Sequence, residues 1–171
     1  SYLLALIACS DDGTSASDPY KDALNKGWDE FKAAKYSAAL VQFREAKKIN
    51  GLLADPYIGM SWSLVKLDSL TAAIDNFTLA NAKESKIETF AGWGFTLNAQ
   101  KDYIGSNLRI TDALKIDSVW VFKFDSKYNH IDLKIVKAEN YFALNKIDSA
   151  LLAIKKVNPL FTADLNTYVG K

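Results

Sequence analysis

Few residues in this chain carry groups that do covalent chemistry or hold a metal. Its single cysteine is Cys9 and its single histidine is His130. A lone cysteine makes neither an intrachain disulfide nor a thiolate cluster, and a lone histidine removes most histidine-based nucleophile and metal constellations. His130 lies beside Asp132, a pair that would serve a lone ligand or base but also suits an ordinary hydrogen-bonded loop histidine. The carboxylates of Asp29, Glu30 and Asp75 fall on faces expected to be exposed, with lysines nearby, and read as solvated ion pairs. Gly92-Trp93-Gly94 lacks the rest of any phosphate-loop fingerprint and falls inside a helical stretch. The net charge of +1, with lysines scattered among acids, leaves no electrostatic footprint for nucleic acid. The expectation is a non-enzymatic protein with no cofactor, no metal and no small-molecule substrate.

What chemistry remains concerns attachment. Residues 1 to 8, SYLLALIA, form an apolar run that stops at Cys9 and gives way to a polar stretch, SDDGTSASD. Eight residues cannot cross a bilayer, which takes about 20. They do read as the end of a secretory hydrophobic core. Leu6-Ile7-Ala8-Cys9 resembles a bacterial lipobox, in which the cysteine is acylated after cleavage. That resemblance implies an exported protein, lipid-anchored through Cys9 in the cell envelope, with the outer membrane favoured. Ser10, Asp11 and Asp12 resemble an acidic tag for the cell surface, and a solvated tether explains them equally well. A buried first element with an inert cysteine is the competing reading. The segments are therefore 1–8, a signal remnant or ordered apolar arm; 9–17, a tether; and 18–171, a helical domain.

Stepping along that domain, a period emerges. Gly27, Trp28, Tyr36, Ala39, Phe43 and Ala46 are echoed 34 positions on by Ser61, Trp62, Leu70, Ala73, Phe77 and Ala80. A fixed period of this size marks stacked helical pairs. Asp18-Pro19 and Asp55-Pro56 read as helix starts, an acceptor followed by proline in the first turn. Asp68-Ser69 caps a partner helix, and Asn50-Gly51 reads as a left-handed helix end. Four pairs follow, over about 20–50, 54–83, 86–116 and 131–158. Down the copies, one row is small (Gly27, Ser61, Gly94, Ala138) and so is another (Ala39, Ala73, Ser106, Ala150). A bulky row faces them: Phe43, Phe77, Ile110 and Ile154. Small against large at fixed spacing is how helix pairs interlock.

The patterns Ala39-Phe43-Ala46 and Ala73-Phe77-Ala80 resemble the tetratricopeptide repeat (TPR). The likeness covers roughly residues 20 to 158, strong in two copies, fair in the third and degenerate in the fourth. It implies an all-α, right-handed α-solenoid of about four TPR-like pairs, binding a protein or peptide on its concave wall. Onto that wall fall Leu24, Trp28, Phe31 and Lys32, then Ile58, Trp62, Val65 and Lys66, then Ala91, Phe95 and Asn98, then Ile135, Glu139 and Phe142. Trp28, Trp62 and Phe95 make an aromatic ladder suited to an apolar segment.

Three readings of the ladder stand open: a groove for a partner, plain core between helices, or a site filled by the chain's own residues 1–8 or 117–130. The insertion 117–130, DSVWVFKFDSKYNH, carries Val119, Trp120, Val121, Phe122 and Phe124, which favour an extended strand. An unpaired strand in a helical stack must pack or stay sticky. Function follows two lines: a lipid-anchored adaptor holding a partner on the aromatic face, or a subunit that self-associates through its apolar amino-terminal segment and insertion. Asp68-Ser69, Asp117-Ser118 and Asp148-Ser149 also resemble acceptors that some bacteria glycosylate, which marks Ser69, Ser118 and Ser149; helix capping is the better account of the first and third, and explains Asp117-Ser118 least.

Overall fold

Asp18 begins the first helix as its sequence position requires. Its carboxylate accepts the backbone N–H of Tyr20 at 3.0 Å, and Pro19 takes the first helical position. The computed structural model describes residues 18–162; the apolar arm, Cys9 and the tether lie outside the described residues. Eight helices follow in order: α1 (Pro19–Lys32), α2 (Tyr36–Ile49), α3 (Asp55–Lys66), α4 (Leu70–Lys83), α5 (Ile87–Ala99), α6 (Tyr103–Ile116), α7 (His130–Ala143) and α8 (Ile147–Lys155).

Consecutive helices pack as antiparallel neighbours, and each pair stacks on the next. The odd-numbered helices also touch one another, α1 on α3, α3 on α5 and α5 on α7, whereas the even-numbered ones do not. One layer is therefore crowded and the other splayed, which bends the stack and makes the odd helices its inner wall. The arrangement is an all-α TPR-like solenoid.

The tight turn inside each pair is built the same way four times. Ala34, Asp68, Lys101 and Asn145 take the left-handed conformation, with φ of 58°, 56°, 63° and 56°. In the first copy, the N–H of Ala34 donates to Phe31 O and the N–H of Lys35 to Glu30 O, both at 2.9 Å. This double closure of a helix end recurs at Asp68-Ser69, Lys101-Asp102 and Asn145-Lys146. The residue that closes one helix is also the N-cap of the next: Lys35, Ser69, Asp102 and Lys146. None of the four left-handed residues is glycine, so each holds a conformation that costs an L-residue about 1–2 kcal/mol.

Several expected caps are corrected here. Ser69 is an N-cap by position only and its side chain caps no backbone N–H. Asp55 is inside α3, not before it, and its carboxylate accepts from Lys86 Nζ at 2.8 Å. Asp148-Ser149 likewise lies within α8. Asn50 ends α2 in an extended conformation, with φ −145°. Helices α4 and α6 end the same way, at Glu84 and Asp117, because the chain must travel between pairs rather than reverse on the spot.

The interlock between layers is steric. Phe43 of α2, fully buried, is pressed against Gly27 of α1 and Gly59 of α3; a Cβ on Gly27 would approach its ring to 2.6 Å. Phe77 and Trp62 meet Gly92 in the same manner, and Ile110 meets Gly94. The two glycines of Gly92-Trp93-Gly94 thus answer to packing on opposite neighbours. Helix α3, flanked by α1, α2, α4 and α5, is buried from Pro56 to Leu64. Its serines therefore bond back along the helix, Ser61 Oγ to Tyr57 O and Ser63 Oγ to Gly59 O, each at 2.8 Å.

Two substitutions check this account by urea denaturation. Gly59→Ala places a methyl inside the Phe43 ring and lowers stability by about 1–3 kcal/mol, although alanine is the better helix former. Ala34→Gly relieves the left-handed turn and raises stability by about 0.5–1 kcal/mol once glycine's extra unfolded freedom is deducted.

Candidate functional site

The inner wall is where the sequence places its partner-binding residues, and the fold brings most of them together. Trp28, Phe31, Ile58 and Trp62 are buried, and Leu24, Val65 and Phe95 pack on that core partly exposed. What covers them is the chain itself. Residues 117 to 129 leave α6 and lie across the odd-numbered helices before α7 begins. Of the three readings of the ladder, the fold matches the one in which the insertion fills the wall.

Phe122 is the centre of the filling and has no exposed surface. It stacks on Trp62 with ring centres 4.1 Å apart and planes 20° from parallel, and meets Trp28, Phe31 and Trp120 at 5.9, 6.1 and 5.9 Å. Phe124 lies flat on Trp28, at 3.7 Å and 1°. Tyr128 turns its edge to Trp62 and Phe95, at 5.1 and 5.2 Å. The Trp62 indole N–H donates to Glu88 O at 3.0 Å, so the buried indole is satisfied.

The expected strand is not one. The insertion is a closed loop with a single antiparallel bridge, Val121 to Asn129, and turns between. The N–H of Phe122 donates to Tyr128 O, and that of His130 to Trp120 O, both at 2.8 Å. A strand needs a neighbouring strand for its backbone groups, and the described residues offer only helices, so the segment pairs with itself. Asn129 and Asp132 form a reciprocal capping box that starts α7. His130 is drawn into this closure, its Nδ1 3.2 Å from Trp120 O, and not into a catalytic pair with Asp132.

Lys66, placed on the wall by the sequence, ties the loop down. Its Nζ donates to Asp125 Oδ2 at 2.8 Å and lies 4.5 Å from the Tyr128 ring centre. Burial alone would lower its pKa, but the hydrogen bonds to Asp125 and Tyr128 outweigh that and raise it above the ordinary lysine value. Asp125 carried no signal in the sequence beyond its charge; only the fold opposes it to Lys66. Asn98 belongs to a separate network, donating to Asn140 Oδ1 at 2.7 Å, while Asn140 Nδ2 donates to Ser106 Oγ and Asn107 Oδ1. That network joins α5, α6 and α7 and is structural. Lys32 lies outside the filled wall, exposed, and pairs with Asp29 at 2.8 Å. Of the fourth-copy residues, Ile135 is half-buried and Glu139 and Phe142 are exposed. Ser69 and Ser118 are exposed on turns, whereas Ser149 is half-buried in α8.

No protein-family model matches this sequence, and no curated protein sequence matches it. Solved structures do match in shape. A crystal structure of MamA superposes with a TM-score of 0.70 at 14% identity, over 81% of this chain and 75% of that one. Pseudomonas aeruginosa PilF gives 0.68 at 16% identity, over 83% of this chain and 61% of that one. The TPR domain of Arabidopsis OM64 gives 0.57 at 17% identity, over 84% and 97%. The fold is that of TPR domains. At these identities the likeness speaks for architecture alone, and the aromatic filling is a feature read from this chain's own residues.

Two measurements check the filled wall. Phe122→Ala empties a fully enclosed site and destabilises the protein by about 3–5 kcal/mol. Lys66→Met leaves Asp125 without its partner and costs about 2 kcal/mol at neutral pH. Since the folded state raises the Lys66 pKa, the pair's contribution is fully present below the unfolded lysine value and lost as pH rises through the folded one. The stability gap between wild type and Lys66→Met therefore narrows as pH climbs beyond about 10.5.

Proposed function

We propose that this protein is a non-enzymatic, lipid-anchored protein-interaction module of the bacterial cell envelope, and that its inner aromatic wall is the partner site. The observation that carries the reading is the filling itself. The wall accepts an aromatic, non-helical segment, stacks two of its phenylalanines on Trp28 and Trp62, and fixes one carboxylate with Lys66. A partner segment would use the same contacts, with two aromatics and an acidic residue where Phe122, Phe124 and Asp125 lie. The insertion is then the wall's resting occupant, and binding requires exchange. Anchoring rests on the lipobox-like Leu6-Ile7-Ala8-Cys9. No helix among the described residues is long and apolar enough to cross a membrane.

A second reading, self-association, is supported by the far end of the stack. Phe142, Leu152 and Leu160 are 69%, 65% and 88% exposed, an apolar end of the kind that neighbouring repeats cover. A monomeric mass at every concentration, in the chain with its apolar arm intact, would remove that reading.

Hydrogen exchange on the intact chain tests the first. If the wall is offered to partners, the amides of Phe122 and His130 exchange through a local opening that leaves α3 protected. Exchange of loop and α3 only together, at the free energy of global unfolding, would mean that the loop is permanent core and that this face binds nothing. Anchoring is checked separately: a fatty-acid analogue fed to the producing bacterium labels wild type and leaves Cys9→Ser unlabelled.

A further inference from the structure

A cavity of about 340 Å³ opens between α6, α7 and α8, away from the aromatic wall. Its charge is one-sided. Lys134, Lys137 and Lys156 line it together with Ser118, Tyr141 and Ser149, and no carboxylate is among the lining residues. Among the described residues these three lysines form no ion pair, as is true of most lysines there, but Lys134 and Lys137 are half-buried and so hold their charge inside the recess. Lys137 is half-buried and donates to Thr111 Oγ1 at 2.6 Å. Burial, and then the like charges of Lys156 and Lys115, hold its pKa below the ordinary lysine value. Converging like charges in a recess opposes folding. The sequence hides the feature, because Lys156 is far along the chain from the other two and meets them only in the fold.

We propose that this recess is a binding site for a phosphoryl group carried on a small organic molecule. Ammonium groups from α7 and from Lys156, the residue that ends α8, supply the charge, and the hydroxyls of Ser118, Ser149 and Tyr141 can donate to the remaining oxygens. Lysine, a compact charge with three rotatable donors, suits a tetrahedral oxyanion; the planar fork that selects a flat carboxylate belongs to arginine, and none lines the cavity. The volume, at the low end for ligand pockets, restricts the group to a head and a few attached carbons. Leu114 and Leu152 provide apolar surface for those carbons. A soluble phosphomonoester and the head of an anionic phospholipid present the same chemistry.

Calorimetric titration of the full-length protein with inorganic phosphate and glycerol phosphate tests the site, alongside flotation with vesicles of phosphatidic acid or phosphatidylcholine. The expected result is saturable binding that weakens as salt rises. Lys137→Gln reduces it about tenfold or more, the worth of a charge-assisted hydrogen bond, and the exposed Lys26→Gln leaves it unchanged. Binding of phosphatidic-acid vesicles that Lys137→Gln abolishes assigns the head to a lipid; binding of glycerol phosphate alone assigns it to a soluble ester. The melting temperature of Lys137→Gln without ligand equals or exceeds that of wild type, so lost binding is not lost folding. No saturable binding of any probe, or binding that Lys137→Gln and Lys26→Gln weaken alike, overturns the proposal.

Discussion

The stack of Phe122 on Trp62 is the contact on which the architecture of the inner wall depends. Stacked helical pairs bury residues between layers, but the concave side of a short stack has no further layer to cover it. Trp62 would face water there, together with Trp28, Phe31 and Phe95. Full burial of a large apolar side chain is worth about 1.5–3 kcal/mol. Closing the wall therefore matters on the scale of a domain's whole stability, about 5–15 kcal/mol. The chain closes it with a loop, and the loop's dimensions follow. It must leave α6, reach the centre of the wall and return to start α7, which explains why the spacing from third to fourth copy exceeds the others.

That loop is bound by two kinds of force with different consequences. The aromatic contacts supply most of the burial, with Phe122 fully enclosed among rings. The Lys66–Asp125 pair contributes less energy but fixes which residue of the loop faces which helix, a directional constraint that aromatic stacking alone does not impose. The self-bridge between Val121 and Asn129 then satisfies the backbone without help from the helices. A segment held mainly by side chains, with its backbone closed on itself, can leave the wall as a unit. This is the physical ground for reading the wall as a site and not only as core.

The layers were legible because their rule is local and repeated. Gly27 and Ser61 recur at the same period as Phe43 and Phe77, and a steric row needs only the right sizes at that spacing. The turns were less legible. Ala34, Asp68, Lys101 and Asn145 keep the same step as the packing rows and adopt the same left-handed geometry. Their identities share nothing, because the conformation is imposed by the two helices each one joins, not by its own preference. The left-handed ends expected from composition, such as Asn50-Gly51, belonged instead to linkers that run extended. Propensity yielded to topology in both directions.

The wall was half legible, for a reason that holds for solenoids generally. The period names the residues that point inward, and it named Trp28, Trp62 and Lys66. It is silent about anything outside the period, and what covers those residues is the one stretch that breaks it. Trp120, Phe122 and Phe124 looked like a strand because their types suit one, yet in a closed loop the rings of Phe122 and Phe124 reach Trp62 of α3 and Trp28 of α1. The same blindness hid the lysine recess, whose lysines come from α7 and from the residue that ends α8 and acquire meaning only when α8 folds against α7. In a repeat protein the periodic residues build the frame. Specific chemistry enters where the period is interrupted or where two copies meet, and in this chain both places lie between α6 and α8.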